Sequence, residues 1–141
     1  MPSTYSPNLR IELIANGEQA NTWGTTTNNN LGTLIEDAIA GLVNVDVTAG
    51  DVTLTALDGI NDQSRNMILN ITGTPGTARV ITAPAVSKIY VLSNNSDSDV
   101  TIITSALGSS GTTVLSGLAK LVFSDGTDFF EANVTSVYTP D

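Results

Sequence analysis

The hydrophobic period of this chain changes once, at Val43, and that change limits what the chain can fold into. Before it, Leu31, Leu34, Ile35, Ala38, Ile39 and Leu42 recur at the i, i+3, i+4 spacing of one helix face. After it, Val43-Asn44-Val45-Asp46-Val47-Thr48 and Val52-Thr53-Leu54-Thr55 alternate apolar and polar residues. A period of two belongs to a half-buried strand. One helix followed only by β segments predicts a mainly β domain.

Further strands are expected at residues 66–72, 79–82, 88–93, 100–104 and 112–115. The last hairpin runs from 118–124 through Asp125-Gly126-Thr127 to 129–134. Asp58-Gly59 and Gly73-Thr74-Pro75-Gly76 supply turn chemistry between them. Short strands at regular spacing predict an antiparallel β-sandwich or a jelly-roll-like domain. The helix is expected to be capped by Asn28 or Asn30 and to end at Gly41, with Glu36 and Asp37 on its polar face. Twelve residues make about 18 Å of helix, marginal in isolation, so it must dock on the sandwich. The expected organisation is an N-terminal arm at 1–9, one β-rich module at 10–135 and a tail at 136–141.

The functional inventory is defined by what is missing. The 141 residues contain no histidine and no cysteine, which removes the commonest general base, metal ligand and thiol nucleophile. Five basic residues, Arg10, Arg65, Arg79, Lys88 and Lys120, stand singly against fourteen acidic ones, for a formal charge of −9. A nucleic-acid surface needs clustered cations, so that partner is not expected. No signal peptide is visible, and no apolar run approaches the roughly 20 residues that cross a bilayer. Membrane and cofactor are likewise not expected.

Two constellations of oxygen ligands qualify for weighing. Asp125, Asp128 and Glu131 could supply the carboxylate pair of a glycosidase, but a hairpin turn on an acidic chain has the same composition. Asn95-Ser96-Asp97-Ser98-Asp99 places oxygen side chains at alternate positions, as in the first half of a calcium loop. It lacks the turn glycine and the late bidentate Glu. The preferred reading is a solvated turn whose side chains bond their own backbone, with no metal. Catalysis is not expected.

The remaining signal lies before the helix. Between Gly17 and Asn30 nearly every side chain is an amide or hydroxyl, arranged around Trp23, the single tryptophan. Such a loop is ordered by packing on a neighbouring subunit or by a dense local network. Trp23 either plugs the space between helix and sheet or makes a partner contact, a role in which tryptophan is favoured. The interface candidates are Trp23, Asn21, Asn28, Asn30 and Glu36. Only 5% of residues are aromatic, too few for a typical carbohydrate surface.

The segments Asn16-Gly17-Glu18-Gln19-Ala20-Asn21-Thr22-Trp23-Gly24 and Asn28-Asn29-Asn30-Leu31-Gly32-Thr33-Leu34-Ile35-Glu36-Asp37-Ala38-Ile39-Ala40-Gly41 resemble a module of tailed-bacteriophage virion structural proteins. Gly73, Lys88-Ile89-Tyr90-Val91-Leu92-Ser93-Asn94 and Phe123-Ser124-Asp125-Gly126-Thr127 are similar to the later segments of that module, so the resemblance covers residues 8–134. It implies a non-enzymatic head-decoration or fibre-type component on the surface of the particle, made in the host cytoplasm. The implied partners are other copies of the chain, as a trimer, and capsid or tail proteins. In longer relatives the module precedes fibre or adhesin domains, whereas this chain ends at Asp141, which favours decoration. A tail-fibre or adhesin module contributing to receptor attachment is the alternative. Two other classes are a pilus-like extracellular adhesin, which needs an export signal, and a sugar-active enzyme, which needs a carboxylate pair in an aromatic cleft.

Overall fold

The computed structural model describes residues 3–132. The expected end of the last strand at Val134, the boundary at 135 and the tail at 136–141 lie outside them. The chain opens with a small antiparallel pair, β1 (Thr4–Tyr5) and β2 (Glu12–Leu13). Part of the expected arm is therefore paired. A continuous helical run follows: α1 (Trp23–Asn29), a π-helical turn (Asn30–Ile35) and α2 (Glu36–Ala40). Next come β3 (Leu42–Asp46), β4 (Val52–Thr53), a 3-10 turn (Gln63–Arg65), β5 (Ile68–Thr72), β6 (Arg79–Ala83) and β7 (Ser87–Asn94). The described strands close with β8 (Val100–Thr104), β9 (Thr112–Val114), β10 (Ala119–Asp125) and β11 (Phe129–Glu131).

The expected sandwich is present. Among the described residues, a five-stranded sheet in the order β11-β10-β7-β5-β3 faces a four-stranded sheet in the order β4-β6-β8-β9. From β3 to β8 the chain passes from one sheet to the other at every step. Strands therefore stack parallel in both sheets: β3 on β5 on β7, and β4 on β6 on β8. Three turns of a coil result. Antiparallel pairing, expected throughout, is confined in the sandwich to β7–β10–β11 and β8–β9. The physical reason is that period-two patterning fixes which face a residue takes, not which strand lies beside it.

Inward positions fill the space between the sheets. Val45, Leu69, Ile71, Tyr90, Leu92 and Val122 from the larger sheet meet Ile81, Ala83, Val100, Ile102 and Val114 from the smaller one. Each is essentially removed from water, worth about 1.5–3 kcal/mol for a large aliphatic side chain. Buried Asn94 ties the layers at one end. Its Nδ2 donates to Val114 O across the sandwich and to Ser98 O, while its Oδ1 accepts from Ser96.

The helix ends at Gly41 as expected and departs from expectation at its N-terminus. It starts at Trp23, so Asn28 and Asn30 lie within the helical run rather than at its cap. It does not lie along the sandwich. It joins the strands at its C-terminus, where Asp37 O accepts from Gly41 N and Met67 N and Gly41 O accepts from Ile68 N. Gly41 leaves the helix in an extended conformation and not in the left-handed one. Glycine is required there for space: a Cβ would lie 2.4 Å from Asn66 Oδ1 and 2.6 Å from Asp37 O. In the apolar stripe, Leu34 is fully buried, outside the sandwich cluster, whereas Leu31, Ile39 and Leu42 face solvent.

Candidate functional site

The polar loop before the helix is held by its own network. Gln19 Nε2 donates to Glu12 Oε1 at 2.6 Å, Ser3 Oγ donates to the same oxygen, and the Thr26 hydroxyl donates to Gln19 Oε1. Gln19 and Asn21 adopt positive φ, 57° and 70°. Asn21 tolerates that conformation, whereas Gln19 is locked into it by its bonds. Of the expected interface residues, Asn21, Trp23, Asn28 and Glu36 reach the surface. Trp23 is 61% exposed, so it does not plug the space between helix and sheet. Asn30 is buried and donates to Glu12 O at 2.9 Å; it joins the helix to β2 and is not available to a partner.

The buried charges form a clasp. Asp62 Oδ2 accepts from Arg10 at 2.8 Å and from Leu57 N at 2.6 Å, and its Oδ1 accepts from Arg65 N and Ser64 Oγ. The Arg65 guanidinium donates to the carbonyls of Leu9, Leu57 and Ile60. Tyr90 Oη donates to Ser64 O at 2.7 Å, and Lys88 Nζ lies over the Tyr90 ring. Burial holds the Lys88 ammonium down at about 8, with the nearby Arg10 and Arg65 charges adding to the effect. Four acceptor bonds occupy the Asp62 carboxylate, which leaves it no free position for a substrate proton. The clasp fastens the N-terminal segment to the coil.

The surface acids are committed in the same way. Asp125 Oδ1 accepts from Thr127 N and Asp128 N at 2.9 Å each, and such backbone bonds hold its carboxyl below the usual range. A glycosidase acid needs the opposite shift. Asp128 accepts from Ser110 N, and Glu131 pairs with Lys120 at 3.0 Å. In the 95–99 loop, Asp97 accepts from Gly76 N and Asp99 from Ser116 N, so both carboxylates brace turns. Among the described residues, no three acidic, histidine or cysteine side chains gather where they could hold a metal ion. No helix among them is long and apolar enough to cross a membrane.

The largest unexplained feature is the outer face of the five-stranded sheet. Leu42, Ile68, Val91 and Leu121 stand side by side across β3, β5, β7 and β10. Ile89, Phe123 and Phe130 form a second row, with the two phenylalanine rings stacked at 5.3 Å. Five of these seven side chains, Leu42, Ile89, Leu121, Phe123 and Phe130, are between 37% and 59% exposed. A third row is made of amides: Asn70 donates to Asn44 at 2.8 Å, and Asn95 donates to Asn70 at 2.6 Å. An open groove of about 440 Å³, lined by Ile39, Met67, Lys88 and Ile89 among others, continues the apolar surface toward α2. The opposite outer face is hydroxyl-rich, as in the Thr101–Thr113 contact at 2.7 Å.

Sequence reasoning missed this surface, although a signal existed. Ile89-Tyr90-Val91-Leu92, Leu121-Val122-Phe123 and Phe129-Phe130 are unbroken apolar runs. Such runs belong to strands covered on both faces. The sandwich core accounts for one face only. No protein-family model, curated protein or solved structure matches the chain.

Proposed function

We propose that this chain is a non-enzymatic structural component of a tailed-bacteriophage particle, self-associating as a trimer and displayed on the particle surface as a head-decoration or fibre-type module. The observation that carries the structural part of this reading is the exposed apolar and amide face of the five-stranded sheet. An acidic chain whose described residues leave such a face uncovered is built to meet protein. The described carboxylates most suited to chemistry are engaged in turns, ion pairs and the clasp. The phage assignment is supported by the resemblance of the segment from Asn16 to Gly41.

The alternative is a tail-fibre module that contributes to receptor attachment. Exposed Trp23, with Asn21 two residues before it, favours that reading, because an isolated surface tryptophan beside amides suits a receptor contact. Quantitative proteomics of purified particles separates the two. Decoration predicts copies on the order of hundreds, since closed shells repeat each interface, and a fibre predicts a few dozen at most. Absence from the particle defeats both. Specific binding of the purified chain to host cells, together with low copy number, selects the fibre reading.

A further inference from the structure

We infer that the outer face of the five-stranded sheet is the surface through which copies of this chain associate with one another. The inference rests on the reading of the chain as a self-assembling structural component, and it assigns that assembly to particular residues. Leu42, Ile68, Val91 and Leu121 form one apolar row, Ile89, Phe123 and Phe130 a second, and Asn44, Asn70 and Asn95 border them.

Charge selects the occupant. The outward positions of the five strands are 42, 44 and 46 on β3, 68, 70 and 72 on β5, alternate residues from 87 to 93 on β7 and from 119 to 125 on β10, and 130 on β11. Among these described positions the charged residues are Asp46 and Asp125, at opposite corners of the face. A chain of net charge −9 repels its own copies over most of its surface. At the centre of this face two copies can meet without burying carboxylates against each other, and it differs from the equally uncharged, threonine-rich outer face of the other sheet in the large apolar side chains that it exposes. A basic partner would find no acidic residue at its centre.

Area points the same way. The exposed fractions leave roughly 500 Å² of surface on these two rows, in the upper part of the range for the largest patch on a monomer. With the amide row and Ile39 beside it, the face approaches the ~800 Å² per partner of a standard interface. The Asn44–Asn70–Asn95 ladder spends some of its amide capacity internally, and its remaining donors and acceptors suit an identical ladder, because an amide is both.

The test is sedimentation velocity on the full chain across a concentration series, with thermal melting of each variant. Phe123→Glu and Leu121→Glu, which bury a carboxylate in the proposed contact, should weaken association by at least about tenfold while the monomer still melts cooperatively. Thr113→Glu, on the outer face of the other sheet, should leave association unchanged. If the glutamate variants do not fold, replacing Phe130 by photo-reactive benzoylphenylalanine keeps the question open to measurement. Cross-links from that position to outward residues of a second copy support the inference. Links confined to residues 133–141 of the same chain overturn it by identifying that segment as the cover. A wild-type chain that stays monomeric at high micromolar concentration also overturns it, as does an oligomer indifferent to Phe123→Glu. In the last case the structural reading survives. Self-association through this face by a chain absent from purified particles leaves the surface standing and removes the virion reading.

Discussion

Arg10 and Asp62, 52 residues apart in sequence, meet at 2.8 Å in a pair whose carboxylate is wholly buried. Arg10 takes a positive φ of 51° to make the contact, and Gly59 N donates to its carbonyl. The pair holds the N-terminal segment against the loop that carries the 3-10 turn. Asp62→Ala removes the ion-pair partner of buried Arg65 and should cost about 3–5 kcal/mol. Arg10→Met should cost less, since Arg65 still faces Asp62 at 3.6 Å. Urea denaturation of the two variants checks the order. Equal losses would show that the clasp does not depend on Asp62 as its centre.

Glycines in the helical run and at its end should respond with opposite signs. Gly24 and Gly32 have open space where a Cβ would go. Gly24→Ala and Gly32→Ala should each stabilise by about 0.4–1 kcal/mol, by restricting the unfolded chain. Gly41→Ala must displace Asn66 or the Asp37 backbone and should destabilise by about 1–3 kcal/mol. Thermal melts of the three single variants test the contrast.

Lys88 makes stability depend on pH in a defined window. Burial lowers its folded value from 10.5 to about 8, so between those limits the unfolded chain holds more protons at this position than the folded chain does. Stability therefore rises with pH across the window, and below pH 8 the cost of burying the ammonium is fully present. Tyr90, whose hydroxyl burial pushes upward, acts in the opposite sense only above pH 10. Lys88→Met should stabilise the protein at pH 7 and abolish the rise between pH 8 and 10. Chemical denaturation at half-unit pH steps gives the slope directly.

Leu34 and Ile39 separate the buried from the displayed side of the helix. Leu34 is fully buried and Ile39 is 72% exposed. Leu34→Ala should cost about 2–5 kcal/mol. Ile39→Ala should change monomer stability by no more than about 0.5 kcal/mol. Equal melting shifts would mean that the two residues share one environment.

The strands were legible because alternation is a local property. The expected strand at 100–104 coincides with β8, and the turn at Asp125-Gly126-Thr127 joins β10 to β11. The coil was not legible in the same way. Leu42, Ile68 and Val91 become neighbours only after the chain has visited the other sheet between each pair, and no local pattern records that path. The helix misled for a different reason. A stripe drawn at 3.6 residues per turn assumes uniform winding, but Asn30–Ile35 winds more widely. The stripe loses its phase within that turn and beyond it, so Leu31 inside the turn and Ile39 after it face water although Leu34 does not. Its start at Trp23 was hidden as well, since Thr and Asn in the first turns are poor helix formers and the local network overrides them.

In the candidate site, exposed residues were identified by type and not by geometry. Trp23 and Asn21 were legible as surface features because a polar loop surrounds them. Asn30 has the same chemistry, but the bond to Glu12 that buries it depends on a contact 18 residues away. The apolar face needed the register of five strands before it became a surface at all.

Because the strands rise in chain order on both sides, each level of the molecule rests only on its immediate predecessor. A spool of this kind can gain or lose a complete winding and keep every remaining residue on its own face. One residue inserted within β5 would instead exchange inside for outside from that point onward in the strand. Length variation in such a chain is thus quantised, and the apolar strip on its flank lengthens or shortens by one rank with each winding.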